Sequence, residues 1–201
     1  MVAKGKSGKK PPTSVTICGR RLAVSPLINV LFYWMAERHS IHQRRLAGEE
    51  TWTDDPILQE YKFTNLFRIF DRNTQFVLRQ VIPGGESGLT ETCFRVILFR
   101  MFNRIETWEL LSRQLGQLTW ESFDVDTYDS VLRSAQAVHG HAYFIPAPKL
   151  GGHDNISNHL RLIYLLMELE LPQQLKEFFH MQDAFQYICL FPGMGDFTGF
   201  Q

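Results

Sequence analysis

The chain has 201 residues, 44% of them hydrophobic and 13% aromatic, with 16 Phe, which is enough apolar material for a sizeable buried core. Its formal net charge is zero, which excludes coating a polyanion by bulk charge. The distribution is uneven, however: Lys4, Lys6, Lys9, Lys10, Arg20 and Arg21 stand in the first 21 residues with no acid, leaving 15 basic against 21 acidic residues beyond them.

Residues 1–24 read as a disordered basic tail, rich in Lys, Gly, Ser and Pro near its start and unable to bury a core. Such a tail can serve as a nuclear-import or DNA-tethering arm, or simply as a solubilising terminus. Gly5-Lys6-Ser7 looks like the end of a phosphate-binding loop, but the upstream glycine and preceding strand have no room to exist there. No apolar run approaches the ~20 residues of a membrane span, and no secretory signal pattern opens the chain. We therefore expect an intracellular protein, nuclear if the source is eukaryotic. Cys18, Cys93 and Cys189 show no paired spacing and read as buried free thiols.

Ser25-Pro26 opens a helix to about Leu46, stopped by Gly48, with Arg38, His42 and Arg45 in line on one face. Asp54 or Asp55 can cap the next helix, and Pro56 suits its first position, where a missing N–H costs nothing. That helix is predicted to run from Pro56 to about Val81 and to end at Pro83-Gly84-Gly85. Along it Tyr61, Asn65, Arg68 and Arg72 follow at steps of four, three and four, which puts them on one face. Aligned Asn and Arg donors beside a Tyr can hold a phosphate or a base edge. By residue type alone the competing reading is that the arginines pair with Glu60, Asp71 or other carboxylates.

Further on, an apolar helix is predicted over Leu89 to Asn103, then one from Glu106 to Leu115 closed by Gly116. Asp126 is expected to cap a helix from Thr127 to about Val138. Gly140 to Pro146 reads as an extended crossing segment, in which Tyr143 is either a stacking surface for a base or a packed core residue. A loop over Pro146 to Gly152 precedes a helix from Asn155 to Glu170, with Leu160, Ile163, Tyr164 and Met167 on its apolar side, and a further helix starts at Pro172. Strands have almost no claim on the sequence. His139, His141, His153 and His159 lack the spacing of a zinc motif and read as surface or loop residues, so no metal site is expected. The chain closes with a helix over Met181 to Phe191, the turn Pro192-Gly193-Met194-Gly195, and a helix starting at Asp196. Glycines at 193 and 195 would let backbone amides face a phosphate at the new helix start. A plain turn between core helices would look similar.

Several of these runs, taken together, resemble the signature of the helical domain named for 5-hydroxymethyluracil DNA kinase. They are Glu37-Arg38, Arg44-Arg45, the block from Trp52 to Asp71-Arg72, Leu98 to Asn103, Glu106 to Leu111, Ala142-Tyr143 and Pro192 to Phe197, in order over about residues 25 to 201. The resemblance implies an all-α, multi-helix domain over residues 25–201, distantly similar to helix-hairpin-helix DNA glycosylases and ending in a partial hairpin. It also implies a role in hypermodification of thymine-derived bases in DNA. Arg38, Arg45, Lys62, Asn65, Arg68, Arg72, Asn103, Tyr143, Gly193 and Gly195 are then the expected phosphate or DNA contacts, and Asp71 or Glu106 the candidate acid or base; chemistry on a duplex base would require it to be flipped out, which Tyr143 or Trp52 could support. A concave pocket that Arg68 and Arg72 share with Asn103 and Glu106 would strengthen this expectation, and burial of the two arginines in carboxylate pairs would weaken it.

Two features depart from that pattern. Lyase-type glycosylases of this general fold carry a nucleophilic lysine two residues after the second hairpin glycine, and here that residue is Phe197. The hairpin also stops at Gln201, so the domain reads as truncated. Gly84-Gly85-Glu86-Ser87-Gly88 is followed by Leu89-Thr90 and not by Lys-Ser/Thr, so it is no P-loop. No cofactor is expected in this chain, and ATP with magnesium would enter only with a separate kinase or transferase partner. Two functions stay open: a DNA-binding helical component that assists phosphoryl or group transfer, and a non-catalytic DNA-binding or structural fragment.

Overall fold

The computed structural model describes residues 12–135, 138–139 and 145–200. The chain divides into two compact units, one ending at Phe70 and the other beginning at Asp71. Among the described residues the fold is all-α apart from one hairpin.

In the first unit, the disorder expected as far as residue 24 is corrected for Ser14–Ala23. Strands β1 (Ser14–Ile17) and β2 (Arg20–Ala23) pair antiparallel, with Val15 opposite Leu22 and Thr16 opposite Arg21. Cys18 and Gly19 make the turn, both at positive φ (48° and 74°), the geometry that matches strand twist in two-residue hairpins. Cys18 is exposed there, against the expectation of a buried thiol; Cys93 and Cys189 are partly buried, and all three are free.

Helix α1 (Ile28–Leu46) follows, as the sequence predicts, with Arg44 and Arg45 in its last turn beside the unpaired carbonyls. Glu37 ties the next loop to it: its Oε1 accepts from Thr53 Oγ1 at 2.7 Å and Arg44 Nη1 at 3.0 Å. Asp55 then caps α2 (Pro56–Glu60), accepting from the amides of Ile57 and Leu58 at 2.9 and 3.2 Å.

The long helix expected from Pro56 to Val81 does not form. It stops at Glu60, and Tyr61 is extended (φ −102°, ψ 135°). Phe63, Thr64 and Asn65 are weak helix formers, and Asn65 bonds the Phe70 carbonyl through Nδ2 at 2.6 Å, closing a local loop that competes with helix. The 3₁₀ turn Arg68–Phe70 is pinned by rings: Phe70 stacks on His42 (4.5 Å) and Phe67 meets His39 edge-on (5.1 Å). Asp71 restarts the helix, accepting from the amides of Asn73 and Thr74 to cap α3 (Arg72–Phe76), which runs into a π turn at Val77–Val81. Tyr61, Asn65, Arg68 and Arg72 therefore lie on three different local structures, and no single helix face carries them.

The second unit holds the main core. Helix α4 (Leu89–Phe102) buries Phe94, Leu98, Phe99, Met101 and Phe102, and packs against α5 (Ile105–Leu115) and α7 (Asn155–Glu168). Helix α6 (Val125–Arg133) fills between α5 and α7. Its cap is Asp124, whose Oδ1 accepts from Thr127 N at 2.8 Å, in place of the expected Asp126, and it ends at Arg133 and not near Val138. Helices α8 (Leu171–Glu177), α9 (Met181–Ile188) and α10 (Asp196–Phe200) complete the chain. Tyr164, expected on the apolar side of α7, is exposed. No helix among the described residues is long and apolar enough to cross a membrane.

Two buried polar residues organise this core, and neither is evident from pattern alone. Arg95, 1% exposed on the apolar helix α4, donates to the carbonyls of Val81 (2.9 Å), Ile82 (3.0 Å) and Glu86 (3.1 Å), so it absorbs the orphan carbonyls of the π turn and the glycine loop after it. Gly85 makes room for it, since a Cβ there would stand 2.9 Å from Arg95 Nη1. His159, expected on the surface or in a loop, is 1% exposed on α7 beside His139 and Phe102, and burial pushes its pKa down to about 4.

Candidate functional site

A groove of about 650 Å³ opens in the first unit, built by one face of α1, the loop over residues 50–53, and α2 with the non-helical segment after it. The i, i+4, i+7 spacing of Arg38, His42 and Arg45 delivers all three to its wall. Lys62 and Asn65 reach it from the extended segment. Breaking the predicted helix after Glu60 is what allows this, because an extended chain spans more distance per residue and lays Tyr61 to Asn65 along the groove.

The two arginines are held by rings. The Arg38 guanidinium lies 4.3 Å from the Trp34 ring centroid and 5.9 Å from that of Phe63, while its Nη2 donates to the Thr64 carbonyl and to Thr64 Oγ1. Arg45 lies 4.7 Å from the Trp52 ring. Trp52 is itself oriented, its Nε1 donating to the Glu49 carbonyl at 2.7 Å and its own carbonyl accepting from Arg44. Among the described residues Arg38, Arg45 and Lys62 form no ion pair, whereas neighbouring Arg44 is committed to Glu37. Arg38 Nε and His42 Nε2 are buried without a partner. Glu50 and Glu60 also line the groove, so three fixed positive charges face two negative ones.

The remaining expected residues do not join this groove. Arg68 stands on the 3₁₀ turn and outside the lining. Arg72, Asn103, Glu106, Gly193 and Gly195 belong to the second unit. Asn103 terminates α4 in the left-handed conformation, its carbonyl accepting from Asn73 Nδ2 at 2.9 Å and its Oδ1 from Arg100 Nη1 at 3.4 Å. Asp71 uses its carboxylate as the α3 cap. Glu106 sits in the first turn of α5 and pairs with Arg104 at 3.2 Å. The bond from its own backbone amide holds its carboxyl below the usual range, with Arg104 and then Arg72 adding to the effect. An exposed, ionised carboxylate is poorly suited to donate a proton at neutral pH.

Gly193 has φ 74°, and a Cβ there would come within 2.8 Å of Pro148, so its role visible here is a close turn against the loop before α7. The Met194 amide is spent on the Phe191 carbonyl. Tyr143 lies outside the described residues. Of the other lining residues, His42 and Tyr61 stand in the two rows read from the sequence and Trp52 is expected there to support a flipped base, whereas Thr51 carries no sequence signal.

Guanidinium groups backed by rings in an open groove are chemically able to hold an anion. The chain belongs to the family described as "5-hmdU DNA kinase, helical domain", which matches residues 25–201. A curated relative, the 5-hmdU DNA kinase of Bacillus phage SP10, is 27% identical over 195 residues, covering 87% of this chain and 30% of the relative. The chain thus spans under a third of that protein's length. No solved structure matches it.

Proposed function

We propose that this chain is the DNA-engaging helical part of a base-hypermodification system acting on 5-hydroxymethyluracil or a related thymine derivative. Its first-unit groove holds strand phosphates through Arg38, Arg45 and Lys62 and so assists phosphoryl or group transfer. The observation that carries this reading is the pair of guanidinium groups, Arg38 and Arg45, set against rings and without an ion pair among the described residues, in one groove with Lys62. Family membership and the name of the phage relative support the choice of DNA. The Gly84–Gly88 loop does not suit ATP, since it lacks the Lys-Ser/Thr of a P-loop and packs against Arg95. A separate kinase or transferase part would supply nucleotide and magnesium.

A non-catalytic DNA-binding fragment is the second reading, favoured by the engagement of Asp71 as a cap and Glu106 with Arg104. The test is an anisotropy titration of a hydroxymethyluracil oligonucleotide over a salt series. Arg38→Ala/Arg45→Ala should weaken binding about 10-fold at moderate salt and reduce the log–log salt slope by about 2. An unchanged slope would remove the groove from the account. A phosphoryl-transfer assay with ATP, with and without the kinase part, separates the two readings, and transfer by this chain alone would defeat both in their present form.

A further inference from the structure

The groove carries an aromatic surface that phosphate binding alone does not require. Trp52 lines it and remains 45% exposed, although its ring is fixed by the Nε1 bond to Glu49 and carries the Arg45 guanidinium. Tyr61, 57% exposed, lines the same groove. A large ring held in place yet left open to solvent forgoes the ~2 kcal/mol that burying it would return. A base within a duplex shows its edges to the outside and its faces to its neighbours. An indole can therefore meet a base face only after that base has left the stack. The groove volume of about 650 Å³ also lies within the range that encloses a ligand of nucleotide size.

We infer that Trp52 is the stacking platform for an unpaired base, backed by Arg45, so that the groove selects a nucleotide lying outside a duplex while Arg38 and Lys62 hold its flanking phosphates. This rests on the reading of the groove as the strand-binding surface. Base identity plays little part in the contact, since every base offers a π face.

The test compares four 12-mers by anisotropy: single-stranded oligothymidine, an all-abasic strand of equal charge, a paired duplex, and a duplex with one bulged thymine. Oligothymidine should bind about 10-fold tighter than the abasic strand, the duplex should fall to the abasic level, and the bulge should recover most of the difference. Trp52→Ala should bring oligothymidine down to the abasic level, and Trp52→Phe should retain most of the preference. The comparison of strands in the unaltered chain reads the inference even if Trp52→Ala unsettles its loop. Equal binding of oligothymidine and abasic strand, still weakened by Arg38→Ala, would overturn this inference and leave the strand-binding reading intact. Absence of binding to all four would overturn both.

Discussion

Arg95 and Arg133 of the second unit and Arg38 and Arg45 of the first are used in opposite ways. In the second unit Arg95 is buried against three carbonyls, and Arg133 bridges Asp129 (2.6 Å) and Asp154 (2.9 Å), with Ser157 completing the link from α6 to α7. In the first unit Arg38 and Arg45 lean on rings at a groove and meet no carboxylate among the described residues. An arginine spent on structure bonds to acceptors of the fold: Arg95 does so through Nε and Nη2, although its Nη1 is buried without a partner. An arginine held ready for a ligand needs orientation without neutralisation, and a ring face supplies that.

Substitutions can break or sharpen this contrast. The largest effect belongs to Arg95→Leu, which strands the carbonyls of Val81, Ile82 and Glu86. Urea unfolding should show a loss of about 3–5 kcal/mol, against under about 0.5 kcal/mol for Arg45→Ala. Similar losses from both would erase the distinction between the units.

Next comes pH. The folded pKa of His159, about 4, lies below its ordinary 6.5, so the unfolded chain takes up a proton first as pH falls. Stability from this residue is complete above about pH 6.5 and declines by up to about 1.4 kcal/mol per pH unit until about pH 4. His139, also lowered by burial, acts in the same direction. Unfolding at pH 7 and pH 5 should show the loss, and His159→Leu should flatten it; an unchanged slope in that variant would assign the pH dependence elsewhere.

The smallest effect is that of Asp71→Ala, which removes the α3 cap and should cost about 1 kcal/mol in the same assay. A much larger loss in phosphoryl transfer than in stability would restore Asp71 as a catalytic candidate.

Much of the helical frame is legible in the sequence. Pro, Asp and Gly punctuation with apolar periodicity locates α1, α4, α5 and α7 to within a few residues, because those helices obey local rules that tertiary packing reinforces. The segment from Pro56 to Val81 misleads for a definable reason. Its apolar spacing suits one helix, while Asn65 and Asp71 offer side-chain acceptors and donors that end and restart it, and such competition leaves no periodic trace. The hairpin escapes because its strands are four residues each and its turn is Cys18-Gly19, outside the common Asn-Gly signal. Arg95 and His159 leave no sequence signal of their burial, because Arg95 is one of three charged residues on α4 with Glu91 and Arg100, and His159 is one polar residue among several on α7. At the site, helical spacing places Arg38 and Arg45 correctly. Lys62 and Asn65 reach the groove through an extended chain that the sequence reading takes for helix.

The central claim is that the first-unit groove is where the strand binds, and hydrogen–deuterium exchange on the 201-residue chain tests it most directly. With a saturating single-stranded oligonucleotide, protection should concentrate in residues 38–45 and 51–65, leaving α4 to α7 unchanged. Protection confined to the turn at residues 192–196, with none along residues 51–65, would contradict it.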